Sequence, residues 1–231
     1  MSFTFVSKVK SASISSSDPV TLTHTTTTSK VLAVSVISLP ATGRSGGNPT
    51  FAGVTMSQAS TWSGVVGIAY ETFYLLNADI SIGASKVLSV PNTTNKDVYV
   101  TLALYNSPSD ATFESITHQS ATSTSTSATN LQDGTLIVDT MVSNADTIAT
   151  ANNRTLLYSV DLGTEVFSNQ YHIATAGNYE MTYTIPSADW HHRVLAFLDA
   201  SSIKWDKHDV STISKLNKKA TYAKINGVLS A

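Results

Sequence analysis

The side chains best suited to chemistry lie together near the C-terminal end of the chain, in Trp190, His191, His192 and Arg193. Histidine transfers protons near neutral pH and is a common metal ligand. Adjacent residues of a β-strand point to opposite faces, so the two histidines do not converge on one ion. The motif therefore predicts hydrogen bonds at the rim of a sheet, with no metal and no cofactor.

Acidic side chains are the next candidates for catalysis, and Asp189 and Asp199 stand close to the histidines in sequence. A glycosidase needs two carboxylates roughly 5–9 Å apart across a cleft, and the sixteen acids are scattered singly. Asn144 and Asp146 offer oxygen atoms of the kind that bind calcium, and the same residue types favour turns. Motifs for phosphate binding, for a nucleophilic serine and for a zinc protease are absent. The sequence thus predicts a protein that is not an enzyme.

Aromatic side chains are better candidates for binding. Trp62 lies in a segment predicted as a loop, residues 58–64, where its indole is a possible glycan contact. Four tyrosines lie on or near predicted strand faces: Tyr70, Tyr74, Tyr99 and Tyr105. Such rings either stack against sugars or fill the core of a sandwich, and the core is the commoner place for them.

The composition favours strands and excludes several classes of partner. Charged residues make up 13% of the chain, there is no cysteine, and Ser and Thr together exceed a quarter of it. A net charge of −2 gives no basic footprint for nucleic acid. The N-terminus lacks the apolar core of a secretory signal, and no run reaches the roughly eighteen apolar residues of a membrane span. We therefore expect neither nucleic acid nor membrane as a partner.

The elements that position these side chains are predicted to be β-strands arranged in two similar halves. Residues 30–39 alternate apolar and small side chains with many β-branched residues, which is typical of a strand with one buried face. Residues 134–143 have the same character and open the second half. Later strands also correspond, since residues 83–91 match 177–186 and residues 97–105 match 192–198. The strand at 97–105 has two apolar faces, which indicates a central position.

This repetition predicts an all-β fold with the topology of a double Greek key, a jelly-roll β-sandwich. The domain is predicted to span residues 1–205, with halves of about 1–107 and 131–205. A low-complexity segment rich in Ser and Thr, residues 108–130, is predicted to join them as a loop, either mobile or a variable surface loop.

A short basic tail follows, residues 206–231, with five lysines and two aspartates, a charge of +3. Its isolated apolar residues cannot form a core of their own. The tail is therefore either disordered or docks as an added strand on a partner. The predicted docking residues are Leu216, Tyr222, Lys224, Ile225, Asn226 and Val228.

Two stretches carry a resemblance to known proteins. The body segments PTFAGVTM, YLLNA, GNYEMTYTIP and HRVLAFLDA are similar to jelly-roll domains of tailed-bacteriophage virions and bacterial surface proteins. The tail, ISKLNKKATYAKINGVLSA, resembles the I-x-K-I-N-G-V segments that end many phage structural proteins, with residues 224–228 closest to that pattern. No catalytic residue is implied by either resemblance.

The resemblance implies a structural component of a phage particle, either a capsid decoration protein or an adhesin attached to the head or tail. It implies other virion proteins as partners, the major capsid or tail protein, and a homo-oligomer located in a virion assembled in the host cytoplasm. The alternative is a carbohydrate-binding module or receptor-binding adhesin on the same fold, with a host-surface glycan as its ligand.

Overall fold

The computed structural model describes residues 3–27, 29–39, 42–63, 67–130, 135–144, 150–151, 154–163, 165–173 and 179–200. Within these residues the chain is all-β, with one 3-10 turn at Asn77–Asp79. The strands, in chain order, are β1 (Thr4–Lys10), β2 (Val20–Thr26), β3 (Val31–Leu39), β4 (Thr50–Phe51), β5 (Val54–Thr55), β6 (Ser57–Ser63), β7 (Ala69–Leu76), β8 (Gly83–Val90), β9 (Asp97–Asn106), β10 (Ala111–Asn130), β11 (Thr135–Ser143), β12 (Thr150–Ala151), β13 (Thr155–Asp161), β14 (Val166–Ile173) and β15 (Tyr179–Asp199). No helix in these residues is long and apolar enough to cross a bilayer.

The strands form three antiparallel sheets. The central sheet has the order β1-β9-β3-β7-β6, and the outer sheet has the order β2-β8-β4-β5. The C-terminal sheet has the order β10-β15-β11-β14-β13, and the short strand β12 also pairs with β15. This arrangement confirms the all-β prediction and is consistent with a β-sandwich. The jelly-roll topology stays a prediction.

Strand β3 lies in the middle of the molecule because both of its faces are apolar. Its residues Leu32, Val34 and Val36 pack in one cluster with residues of the outer sheet. The alternate residues Val31 and Ala33 pack with residues of the C-terminal sheet. The sequence predicted one buried face for this strand, whereas the structure buries both, since sheets cover the central sheet from two sides. The central position predicted for β9 is confirmed, because β9 pairs with β1 and β3.

Strand β15 is longer than the sequence indicated. The pattern predicted two strands, residues 177–186 and 192–198, but one strand runs through Tyr179–Asp199. The ladder with β10 is irregular where Ser123 and Ser125 face Ala188 and Thr184. The strand bends at this irregularity. Its first part contacts the face of the C-terminal sheet that points away from the central sheet. There the Tyr183 hydroxyl donates to Asp139 of β11.

The predicted joining loop at residues 108–130 is wrong for most of its length. Residues Ala111–Asn130 form β10, which pairs with β15 along its whole length. This Ser/Thr-rich strand has no apolar stripe of its own. Main-chain hydrogen bonds to β15 hold it in place, and threonine favours the extended backbone. The tail, 206–231, and the domain boundary at 205 lie outside the described residues.

Candidate functional site: the histidine motif of β15 and its neighbours

His192 lies at the centre of a buried polar network. Its Nε2 is 2.7 Å from Oδ2 of Asp139 on β11, and neither side chain is exposed. The Tyr183 hydroxyl donates to Asp139 Oδ1 at 2.6 Å. The amide of Gln170 on β14 donates to Asp139 Oδ2 at 2.8 Å. The Asp139 carboxylate therefore joins β11 to β14 and to two parts of β15, the part that carries His192 and the part that carries Tyr183.

The network resembles an acid–base arrangement in its residue types, but its burial gives it a structural role. A carboxylate out of water needs several donors, and Asp139 has them. Burial, together with the nearby Asp139 charge, raises the pKa of Tyr183 well above its ordinary value, so Tyr183 remains a donor. Within the described residues, His192 Nδ1 and Gln170 Oε1 are buried without a hydrogen-bond partner. His192 and Gln170 are both fully buried.

His191 lies on the opposite face of β15, as the sequence predicted. Its Nδ1 is 2.6 Å from Nε2 of His118 on β10, and the two rings stack with centroids 4.7 Å apart. Burial, together with the charges of His118 and Arg193, lowers the pKa of His191 to about 4. Burial also lowers the pKa of His118. The pair is therefore neutral at pH 7, with one ring donating to the other.

Arg193 links the C-terminal sheet to the central sheet. Its Nη2 donates to the Thr61 carbonyl of β6 at 2.8 Å, and its guanidinium lies 5.3 Å from the centre of the Tyr70 ring. Trp190, the first residue of the motif, is buried, and its indole donates to Ser123 Oγ of β10 at 2.9 Å. All four residues of the motif thus bind neighbouring strands.

Both histidines are buried inside β15, which lies between β10 and β11, so the predicted place at the rim of a sheet is wrong for both, although each makes a hydrogen bond. Sequence reasoning did not select Asp139 or His118. Asp139 lies in an apolar strand 53 positions from His192, and His118 lies in the segment predicted as a loop. In the described residues no group of three or more His, Asp or Glu side chains is placed to hold a metal ion.

The acids of this region are also used in packing. Asp199 is buried and accepts hydrogen bonds from Ser107 and Ser109. Asp189 accepts a hydrogen bond from Thr122, and its main-chain N–H donates to Asn144 Oδ1 at 2.9 Å. Because Asp189 and Asp199 stand ten positions apart on one continuous strand, they are about 34 Å apart. They do not form a glycosidase pair. Asn144 bonds the main chain of Asp189 on β15 through its N–H and its side chain. The turn predicted after it and Asp146 lie outside the described residues.

The tyrosines mostly fill the core. Tyr70, Tyr99 and Tyr105 are buried, and Tyr74 is half-buried and stacked on Phe113 at 4.8 Å. They are therefore not a sugar-binding platform.

Trp62 belongs to strand β6, opposite Tyr70, and not to the predicted loop. The polar sequence of β6 suits an edge strand with solvent on one side. The Trp62 side chain itself lies outside the described residues. The predicted docking residues of the tail also lie outside them, namely Leu216, Tyr222, Lys224, Ile225, Asn226 and Val228.

Comparison with protein families, with curated proteins and with solved structures finds no match for this chain.

Proposed function

We propose that this chain is a non-enzymatic structural or adhesive protein. The observation that carries the proposal is that its most reactive side chains are engaged between strands and sheets. His192 is bound to buried Asp139, His191 to His118, and Arg193 to the carbonyl of Thr61. Such contacts favour a rigid body that presents surfaces to partners over one that opens a cleft to a substrate.

The more specific form of the proposal is a component of a phage particle, carried by the resemblance of the body and tail. The body would be a jelly-roll domain, and the tail would fasten it to a capsid or tail protein by strand addition. In that mode main-chain hydrogen bonds supply affinity, and Leu216, Ile225 and Val228 fill pockets. The lysines of residues 206–231 would meet an acidic surface on the partner.

Two measurements test this form. Mass spectrometry of purified particles is expected to find the chain at a fixed ratio to the major shell protein. A variant lacking residues 206–231 is expected to keep the circular dichroism and thermal unfolding of the full chain and to be absent from particles. Incorporation of that variant at the normal ratio would contradict the tail's role. Absence of the full chain from particles would contradict the virion proposal.

The second candidate is a glycan-binding adhesin. The favouring observation is the position of Trp62 in an edge strand of the central sheet. Trp62→Ala is expected to remove binding on a glycan array. The matched control is Ile82→Ala, because Ile82 is an exposed apolar residue that directly precedes β8 of the outer sheet. Equal binding by both variants and the parent chain would exclude Trp62 as the contact.

A further inference from the structure

Strand β10 is a long edge of the C-terminal sheet. Among the strands that the structure describes, it pairs with β15 alone, over 20 residues. An edge strand presents a row of main-chain donors and acceptors, and natural sheets protect such edges with lysine, proline or short length. Strand β1, at one edge of the central sheet, carries Lys8 and Lys10. Strand β10 contains no lysine, arginine or proline.

The side chains near the start of β10 show where a second strand fits. Exposed residues alternate with half-buried ones here, and Glu114, Ile116 and His118 are exposed. Ile116 leaves 39% of its surface in solvent, which is unusual for a large apolar side chain of this molecule. Glu114 and His118 are the titratable residues of β10, one on each side of Ile116. The ladder with β15 is uninterrupted from Ser115 to Ser123.

We propose that two copies of this chain pair antiparallel through the outer edges of their β10 strands, about a two-fold axis at Ile116. In such a pair the residue n positions before Ile116 faces the residue n positions after it in the other copy. Ile116 then faces Ile116 of the partner subunit, and Glu114 faces His118 of the partner subunit. The two C-terminal sheets become one continuous sheet.

Polar and apolar contacts select this register over its neighbours. An axis at Glu114 would place two carboxylates directly opposite each other, which is unfavourable for a cross-strand pair. An axis at Ser115 or at Thr117 would set Ile116 against Glu114 or His118, respectively. The axis at Ile116 pairs two exposed apolar side chains and places each Glu114 carboxylate opposite a neutral His118 ring, which can donate a hydrogen bond to it. The remaining residues of the pairing are mostly small or polar and do not obstruct the approach of a second strand.

This inference goes beyond the proposed function, because it concerns contact between copies of the chain. The dimer proposal does not depend on whether the chain belongs to a particle. The composition of purified particles tests the proposed function, and the mass of the purified protein tests the dimer.

Light scattering on the purified full chain measures the pairing. We expect a mass of twice 24.5 kDa. Ile116→Lys places two ammonium groups at the axis and is expected to give a monomer. Leu156→Lys is the matched control, because Leu156 is 40% exposed on β13, the opposite edge of the same sheet. It is expected to stay dimeric. A monomeric parent chain, or equal masses for the two variants, would overturn the proposal.

Substitutions at Glu114 and His118 test the register. Glu114→Lys is expected to weaken the dimer about tenfold, since both contacts of the dimer lose the carboxylate that accepts from His118. Adding His118→Glu to Glu114→Lys places opposite charges at both contacts and is expected to restore the dissociation constant. A double variant as weak as Glu114→Lys alone would exclude this register.

Cross-linking locates the axis directly, because the chain has no cysteine of its own. With a short bifunctional thiol reagent, Ile116→Cys is expected to link to itself. Ser115→Cys and Thr117→Cys are expected to link to each other in an equal mixture more strongly than either links to itself. Maximal self-linking at any other position of β10 would move the axis and refute the proposed contact.

Discussion

Asn169 of β14 and Thr101 of β9 are hydrogen-bonded across the interface between the C-terminal and central sheets. The Thr101 hydroxyl donates to Asn169 Oδ1 at 3.0 Å, and both side chains are buried. The Asn169 amide also donates to Thr140 Oγ1 at 2.9 Å and lies 3.3 Å from Ser35 Oγ. One amide thus serves hydroxyl groups from three other strands.

Asn169→Ala is expected to destabilise the whole described body. Removing the amide leaves the buried Thr101 hydroxyl without its partner, which costs about 1–3 kcal/mol. Urea unfolding followed by circular dichroism measures the loss, and it is expected to appear as a lower midpoint in a single transition. Gln119→Ala is the control, because Gln119 is exposed on β10. If the two variants unfold at the same urea concentration, Asn169 does not hold the sheets together.

Arg44 supports a second prediction. Its Nε lies 2.8 Å from Glu71 Oε2, and only 2% of the Arg44 side chain is exposed. Its Nη1 donates to the carbonyls of Gly47 and Pro91 at 2.7 and 2.9 Å, and its guanidinium stacks over Phe73. This single side chain holds the Gly- and Pro-rich connection that follows β3.

Arg44→Met is expected to cost about 3–5 kcal/mol, since it leaves the Glu71 carboxylate largely buried and unpaired. Arg44→Met combined with Glu71→Leu removes both charges and is expected to recover much of that loss. The free energies of unfolding of the two single variants and the double variant form a cycle. A double variant whose loss equals the sum of the single losses would show that the two side chains do not interact.

The strands that carry the core were predictable from their sequence because their side chains alternate or are continuously apolar. Strands β3 and β9 show this directly. The opposite orientation of His191 and His192 was also predictable, because it follows from the geometry of any strand. These properties depend only on residues that are adjacent in sequence.

The partners of those histidines were not predictable. Asp139 meets His192 only because β11 pairs with β15, and His118 meets His191 only because residues predicted as a loop form β10. A Ser/Thr-rich segment has no apolar period, so its pairing is decided by the strand beside it. The Arg44–Glu71 contact likewise depends on the fold of a connection that the sequence marked only by its glycines and prolines.

The His118–His191 pair makes stability depend on pH. In the folded protein the pKa of His191 is about 4, below its ordinary value of 6.5, because the ring is buried near His118 and Arg193. Between these two values the unfolded chain binds a proton that the folded chain does not. The free energy of unfolding is therefore expected to fall as pH decreases from 6.5 to 4. Above pH 6.5 the contribution of the neutral His191 ring is present in full.

His191→Gln removes this titration, so its free energy of unfolding is expected to fall less than that of the parent chain over the same pH range. The difference is on the order of 1 kcal/mol, since solvent near the ring reduces the effect. His172→Gln is the comparison variant, because burial and the charge of Arg154 also lower the pKa of His172, which lies outside the His118–His191 pair. Comparing the variants with the parent chain also cancels the contribution of the carboxylates to the pH dependence, because all three proteins have the same carboxylates. Parallel curves for His191→Gln and the parent chain would mean that His191 accepts its proton equally well in both states.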